Sequence, residues 1–285
     1  MAPLREGKKI LVTGGAGYIG SHAVVELFNS GFIPVIVDDF RNSSEGVING
    51  LSEILERKIE VHQIDICDEV KLGELFEAEK FEGIIHFAAY KAVGESHEKP
   101  IEYYENNLSG LINVAKLAVR HGVERLIFSS SCTVYGDPTE SAIVDEETPL
   151  KNPNSPYGAT KQMGERILDD LVSSGVNLQV LKLRYFNPVG AHSSGLIGEL
   201  PIGSPNNLLP YVMQTAIGLR ESLIVFGNDY DTPDGTGVRD YIHVSDLAQA
   251  HVQGLNWLIE NKGIKLEVFN VGTGKGTSVL EIIHI

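Results

Sequence analysis

Tyr157-Gly158-Ala159-Thr160-Lys161 puts a phenol and an ammonium at i and i+4, on one face of a helix that Asn154-Ser155-Pro156 is suited to start. Two such groups suit removal of a proton from a hydroxyl. A phenol alone is a poor base at neutral pH. A lysine about 6 Å away, at an effective dielectric of about 20, favours phenolate by about 3 kcal/mol, or roughly two pKa units. Tyr157 is therefore expected to work as a general base near pH 7. Further hydroxyls come from Ser129-Ser130-Ser131-Cys132-Thr133-Val134-Tyr135-Gly136, which follows a buried-strand pattern; a serine there can donate to and accept from a hydroxyl being oxidised. Both features have plainer readings. Tyr-x-x-x-Lys also decorates solvated helices, and serines at strand ends satisfy backbone groups.

An oxidant for that hydroxyl is suggested at the other end of the chain. Ile10-Leu11-Val12 runs into Thr13-Gly14-Gly15-Ala16-Gly17-Tyr18-Ile19-Gly20, and Gly15, Gly17 and Gly20 fit G-x-G-x-x-G. That spacing gives a tight strand-to-helix turn, lets a pyrophosphate approach the backbone and lets helix and sheet pack closely, with the helix N–H groups facing phosphate. A second strand, Ile33-Pro34-Val35-Ile36-Val37, ends in Asp38-Asp39, where an acid accepts from adenosine ribose hydroxyls and repels a 2′-phosphate. NAD is thus expected in preference to NADP, although Arg41 close by weakens the discrimination and Asp38 also suits a strand-end turn. The positive charge of a nicotinamide ring would further favour phenolate at Tyr157.

These residues need a scaffold. Apolar strands at 10–12, 33–37, 59–63, 83–87, 125–129 and 178–184 alternate with helical patterns at 20–29, 70–76, 108–120 and 157–172. The alternation predicts an α/β fold, a doubly wound parallel sheet of the Rossmann type. The expected organisation is an NAD-binding domain over 1–185, with later strands returning to it near 238–250, and a smaller substrate domain over 186–285. Pro188, Pro201, Pro205, Pro210 and Pro233 break the pattern in the second part, giving loops placed to cap a site beyond the strand ends.

With 285 residues, 42% of them hydrophobic, the chain can bury a large core, and its net charge of −15 disfavours nucleic acid and anionic membranes as partners. Cys67 and Cys132 are too few for a disulfide framework, and Cys132 lacks a paired base for a nucleophilic role. His86, His192 and His243 show no ligand spacing, so structural histidines and no metal are expected. The short polar start at 1–9 leaves no room for a signal peptide, and no apolar run approaches the roughly 18 residues of a membrane span. A cytosolic protein is expected, with the sequons at Asn42 and Asn107 silent.

Taken together, these motifs resemble the extended short-chain dehydrogenase/reductases, and among them the UDP-glucose 4-epimerase family. Matching segments span essentially the whole chain: 14–20, 38–43, His86 to Ser96, 103–107, 129–136, 157–161, Arg184 to His192, Asn206 to Tyr211, 226–230 and Gly237 to His243. The resemblance implies tightly bound NAD, held at its pyrophosphate by Gly14, Gly17, Tyr18 and Ile19. It implies Asp38, Asn42 and Ser43 at the ribose, Asp65 and Ile66 at the adenine, and Phe87, Ala88, Ala89, Lys91, Asn106 and Phe186 along the remainder. Tyr157 and Lys161 would also touch the cofactor. Asn187, Asn207, Leu208, Phe226 and Arg239, with Lys91, Ser131 and Tyr157, would hold the UDP-sugar. Tyr157, Lys161 and Ser131 would be catalytic.

The activity implied by the resemblance is interconversion of UDP-galactose and UDP-glucose through a 4-keto sugar that turns over before the hydride returns. A 4,6-dehydratase is the enzymatic alternative, but Cys132-Thr133-Val134 offers no acid for a leaving hydroxyl. The other alternative is an inactive NAD-binding remnant, because the resembled proteins continue for several dozen residues past Ile285. Their remainder supplies a second arginine and an acid to the UDP pocket, and the residue governing N-acetylated sugars. Weaker substrate binding and reduced solubility are expected without it. By resemblance, helices at 108–120 and 162–172 would pair in a homodimer.

Overall fold

The computed structural model describes residues 7–137, 143–203, 205 and 207–285. The N-terminal residues 1–6 and Asn206 of the matched loop therefore lie outside the described residues. In chain order come β1 (Lys9–Thr13), α1 (Tyr18–Asn29), β2 (Ile33–Asp38), α2 (Glu45–Ile54), β3 (Glu60–Gln63), α3 (Glu69–Ala78) and β4 (Phe81–His86). Then follow α4 (Val93–Glu98), α5 (Pro100–Tyr104), α6 (Gly110–Arg120), β5 (Arg125–Ser129), α7 (Pro156–Ser173) and β6 (Gln179–Tyr185). The chain closes with β7 (Asn187–Val189), α8 (Leu208–Ala216), β8 (Val238–His243), α9 (Val244–Glu260), β9 (Leu266–Val271), β10 (Gly276–Ser278) and α10 (Val279–His284).

Among the described residues the main sheet has the order β3-β2-β1-β4-β5-β6-β9, with every pairing parallel. The direction of winding reverses between β1 and β4, and the carboxyl ends at that switch form the crevice where ligands bind in such sheets. Both faces are covered, so the central strands are largely apolar and their successive residues enter opposite cores. Leu11, Val35, Val37, Ile84, Leu126, Phe128 and Val180 pack with α3, α6 and α7. Ile10, Val12, Ile36, Ile85, Ile127 and Leu181 pack with α1, α2 and α9.

The strand expected to rejoin the sheet near 238–250 does not do so. β8 lies in a separate sheet, β10-β8-β7, and it is α9 that returns, burying Val252, Leu255 and Leu258 against the main sheet before β9 adds its edge strand. The reason is in the side chains: β8 carries Arg239, Asp240 and Tyr241 and is largely unburied, whereas α9 presents an apolar face. The helix expected over 108–120 begins as α-helix only at Gly110, after a π-helical turn over Glu105–Ser109. That turn buries Asn107, whose Nδ2 donates to Tyr90 O and Thr160 Oγ1, both at 3.0 Å, and whose Oδ1 accepts from Tyr90 N at 2.8 Å. One amide thus ties the loop after β4 to α7. None of the described helices is long and apolar enough to cross a membrane.

Candidate active site

The glycine turn connects β1 to α1. Gly14 sits at φ 70°, a left-handed conformation, and a Cβ there would come within 2.7 Å of Ala88 N. At Gly20 a Cβ would come within 2.2 Å of Gly14 O, so any larger residue would force turn and helix apart. Gly17 is the N-cap of α1 and, lacking a side chain, makes no capping bond, which leaves the first-turn N–H groups of Tyr18 and Ile19 facing outward for an anion. Phe87 and Ala88 donate their N–H groups to Thr13 O at 3.0 and 3.1 Å, bringing the loop after β4, with Ala89, alongside the turn.

Asp38 ends β2 and is buried. Its Oδ2 accepts from Ala16 N at 3.0 Å, and its Oδ1 accepts from Phe40 N and Ser43 Oγ, both at 2.9 Å. Burial raises its pKa, and these three donors oppose the rise. The carboxylate therefore serves as a turn former and also fastens the acid loop to the glycine turn. Arg41 is committed to acids: Nε meets Asp39 Oδ2 at 2.9 Å, Nη2 pairs with Asp65, and Nη1 donates to Tyr90 OH at 2.6 Å. Ile66 is buried against Gly110 of α6, where a Cβ would clash at 2.3 Å. Asn42 is exposed, and Asn106 Nδ2 donates to Asn107 Oδ1 at 2.9 Å. The glycine cradle, the uncapped helix start and the placed acid fit a dinucleotide.

The helix bearing the phenol starts as its sequence predicts: Ser155 Oγ accepts from Gly158 N at 3.1 Å and Pro156 occupies the first turn. Gly164 lets α7 lie directly on β5, since a Cβ there would come within 2.8 Å of the Phe128 ring. Tyr157, Lys161 and Ser131 are 7%, 4% and 6% exposed. Lys161 Nζ donates to Ser129 O at 2.8 Å and lies 5.9 Å from the Tyr157 ring centroid. Ser131 Oγ accepts from Thr133 N at 3.2 Å and from Thr133 Oγ1 at 3.0 Å.

The electrostatics correct the phenolate expectation. Burial pushes the Tyr157 phenol well above its ordinary value, Tyr185 adds to the rise, and neighbouring Ser131 opposes it. Lys161 is not among the largest influences on the phenol, and burial holds its own ammonium down to about 8. Lys161 also reaches His86, which is pushed down to about 3 by burial and then by that charge, and whose Nδ1 hydrogen-bonds Thr13 Oγ1 at 2.8 Å. The lysine is thereby coupled electrostatically to His86 of β4, which is bonded to Thr13 beside the glycine turn. Cys132 is raised to about 11 by burial, so its thiol stays protonated at neutral pH. His192 and His243 have local partners, Ser194 Oγ at 2.8 Å and Ser245 N at 3.2 Å.

The residues expected to hold the nucleotide-sugar are more open. Asn187 Nδ2 donates to Asp240 O at 3.1 Å, and Phe186 packs beside Gly272. Arg239 is exposed, its Nη1 donating to Val238 O at 2.8 Å, and its charge lowers the neighbouring Cys132. Leu208 begins α8, a helix with no buried residue, and Phe226 is 86% exposed. Lys91 and Asn207 meet on Glu199, a residue that the motifs did not point to. The signal available was a lone acid between Gly198 and Leu200, in a loop without periodicity.

A second omission lies behind the site. Glu165 accepts from Arg184 through Nε at 2.9 Å and Nη2 at 2.6 Å, and from Ser130 Oγ at 2.6 Å, all buried. Arg184 Nη1 also donates to Tyr135 OH at 3.1 Å. This network clamps α7 to β6 and to the serine turn, fixing Tyr157 against Ser131.

The model of the NAD dependent epimerase/dehydratase family matches residues 10–272. The chain is 53% identical over 275 residues to UDP-glucose 4-epimerase of Dictyostelium discoideum, covering 96% of this chain and 79% of that enzyme. It is 49% identical over 283 residues to the Homo sapiens UDP-glucose 4-epimerase, covering 97% and 80%. The crystal structure of UDP-glucose 4-epimerase from Bifidobacterium longum in complex with NAD+ and UDP superposes with a TM-score of 0.92 at 46% identity, covering 97% of this chain and 82% of that one. That from Stenotrophomonas maltophila, with bound NAD and formylated UDP-arabinopyranose, gives 0.92 at 47%, covering 97% and 81%. With the glycine cradle, the placed acid and the buried Ser131–Tyr157–Lys161 group behind these likenesses, the chain belongs to the NAD dependent epimerase/dehydratase family, among its UDP-glucose 4-epimerases.

Proposed function

We infer that the chain interconverts UDP-galactose and UDP-glucose by transient oxidation at C4 of the sugar, with NAD as its bound cofactor. The carrying observation is the burial of Ser131, just after β5, together with Tyr157 and Lys161 of α7, with Lys161 donating to the carbonyl of Ser129. The residues that would hold NAD are Gly14, Gly17, Tyr18, Ile19, Asp38, Asn42, Ser43, Asp65, Ile66, Phe87, Ala88, Ala89, Lys91, Asn106 and Phe186. NAD supplies a reversible hydride acceptor and a local positive charge.

The chain's own residues do the remaining work. Tyr157 takes the proton of the sugar 4-hydroxyl and returns one to the 4-keto oxygen. The burial that holds its proton suits the return step, and removal in the forward step needs a cation close by, to which Lys161 contributes. Ser131 positions the 4-oxygen. Asn187, Asn207, Leu208, Phe226 and Arg239 hold the UDP part while the sugar turns over, Arg239 pairing with the diphosphate. Exposed Ile112 and Val119 on α6 and Met163 on α7 support pairing of two copies through these helices. Both cysteines are free thiols, which favours the cytosol.

Purified chain should convert UDP-galactose to UDP-glucose without added NAD. Tyr157→Phe should lower kcat by about 10²–10⁴-fold while NAD stays bound. Turnover unaffected by that change would sink the proposed role of the phenol.

A further inference from the structure

Arg41 stands three residues past Asp38, in the loop that leaves β2. In sheets of this kind the acid at that strand end faces the adenosine ribose, and an arginine close to it is the group that accommodates a 2′-phosphate. Here each nitrogen of the guanidinium already has a partner. Nε meets Asp39 Oδ2 at 2.9 Å, Nη1 donates to Tyr90 OH at 2.6 Å, and Nη2 pairs with Asp65.

These partners come from the loops after β2, β3 and β4, and each is itself fixed. Asp39 Oδ1 also accepts from Arg41 N at 2.9 Å, so one carboxylate holds both the backbone and the side chain of the arginine. Asp65 Oδ1 accepts from Cys67 N at 2.9 Å, which leaves Oδ2 turned to the guanidinium. Tyr90 is bonded through its N–H and its carbonyl to the buried amide of Asn107, and its ring lies 5.5 Å from that of Tyr103. An arginine binds phosphate best through two parallel N–H bonds from one fork, and the fork of Arg41 is taken although the side chain is 45% exposed. With Asp38, Asp39 and Asp65 around one arginine, the ribose end also carries a negative balance of charge.

We propose that Arg41 is the specificity-determining residue for the cofactor, a latent 2′-phosphate site that Asp39, Asp65 and Tyr90 hold shut in favour of NAD. The inference rests on a dinucleotide occupying the glycine turn. Asp38 repels a 2′-phosphate directly, and the frame around Arg41 withholds the cation that would offset that repulsion.

The test incubates the whole chain with equimolar NAD and NADP, removes free nucleotide by gel filtration, denatures the protein and quantifies what is released. Wild type should retain NAD in large excess. Asp39→Asn with Tyr90→Phe frees Nε and Nη1, and should raise the retained NADP:NAD ratio by about tenfold, the gain of one charge-assisted hydrogen bond to the phosphate. Tyr90→Phe alone keeps the ring beside Tyr103 and should raise the ratio by about threefold. Arg41→Ala should leave the wild-type ratio in place, since the cation it removes is already withheld, and in that background the double variant should gain no NADP. Wild type that retains neither nucleotide would refute the dinucleotide reading and the proposal with it. Wild type that retains NAD, with the ratio unmoved in the variants or raised equally in the Arg41→Ala background, would overturn the proposal alone.

Discussion

The two ends of the cleft are built differently. At the cofactor end, the glycine turn, Asp38 and the Ser131–Tyr157–Lys161 group are buried and held by strand register, with Thr13 set opposite His86 and Ser129 opposite Leu183. At the nucleotide-sugar end, Arg239 is exposed, α8 buries nothing, and Phe226 projects into solvent. The difference teaches where precision is preset. Groups that move a proton need fixed geometry before substrate arrives, which a packed sheet provides, whereas the groups proposed to grip a nucleotide sit on the short, thinly packed elements β7, β8 and α8.

The largest effect should come from breaking the closed end. Glu165→Gln leaves the buried Arg184 without its carboxylate and should cost about 3–5 kcal/mol in urea unfolding. A loss under about 1 kcal/mol would mean that the clamp behind Tyr157 is dispensable. Gly14→Ala forces a Cβ onto Ala88 N from a left-handed backbone and should cost about 1–3 kcal/mol, with loss of retained NAD read by absorbance after denaturation. Full NAD retention in that variant would show that the turn is not the cradle.

Acid should act on the closed end as well. His86 is held to about 3 and His22 and His251 to about 4, chiefly by burial, against an ordinary 6.5. Below pH 6.5 the unfolded chain takes up protons that the folded chain refuses, so each histidine should remove about 1.4 kcal/mol per pH unit between about 6.5 and 4. His251→Gln should make that slope shallower by one such share, measured as the urea midpoint against pH. An unchanged slope would place the acid sensitivity in other groups. The smallest effect on stability belongs to the open end: Phe226→Ala should shift stability by less than about 0.5 kcal/mol while raising the KM for UDP-galactose. A large stability loss would remove the contrast between the two ends.

Much of the closed end was legible because it is local. The glycine spacing, the Ser155-Pro156 helix start and the Tyr157–Lys161 interval each lie within a few consecutive residues, and each obeys short-range backbone rules. Apolar runs likewise located β1 to β6 of the main sheet, though not β9, whose half-buried edge carries Glu267 and Asn270. Legibility fell where polar partners are far apart in sequence: Glu165 with Arg184 and Ser130, Asn107 with Tyr90 and Thr160, and Glu199 with Lys91 are brought together only by strand order and loop closure.

The sequence by itself determined the parallel α/β scaffold, the dinucleotide turn and the identities of the phenol, lysine and serine, because period and spacing are properties of consecutive residues. Tertiary structure alone decided that β8 leaves the main sheet and β9 takes the edge. It also decided that burial dominates the Tyr157 phenol, and that Lys91 and Asn207 meet on one glutamate. Desolvation and long-range hydrogen bonding depend on what surrounds a group in space, and chain order does not carry that information.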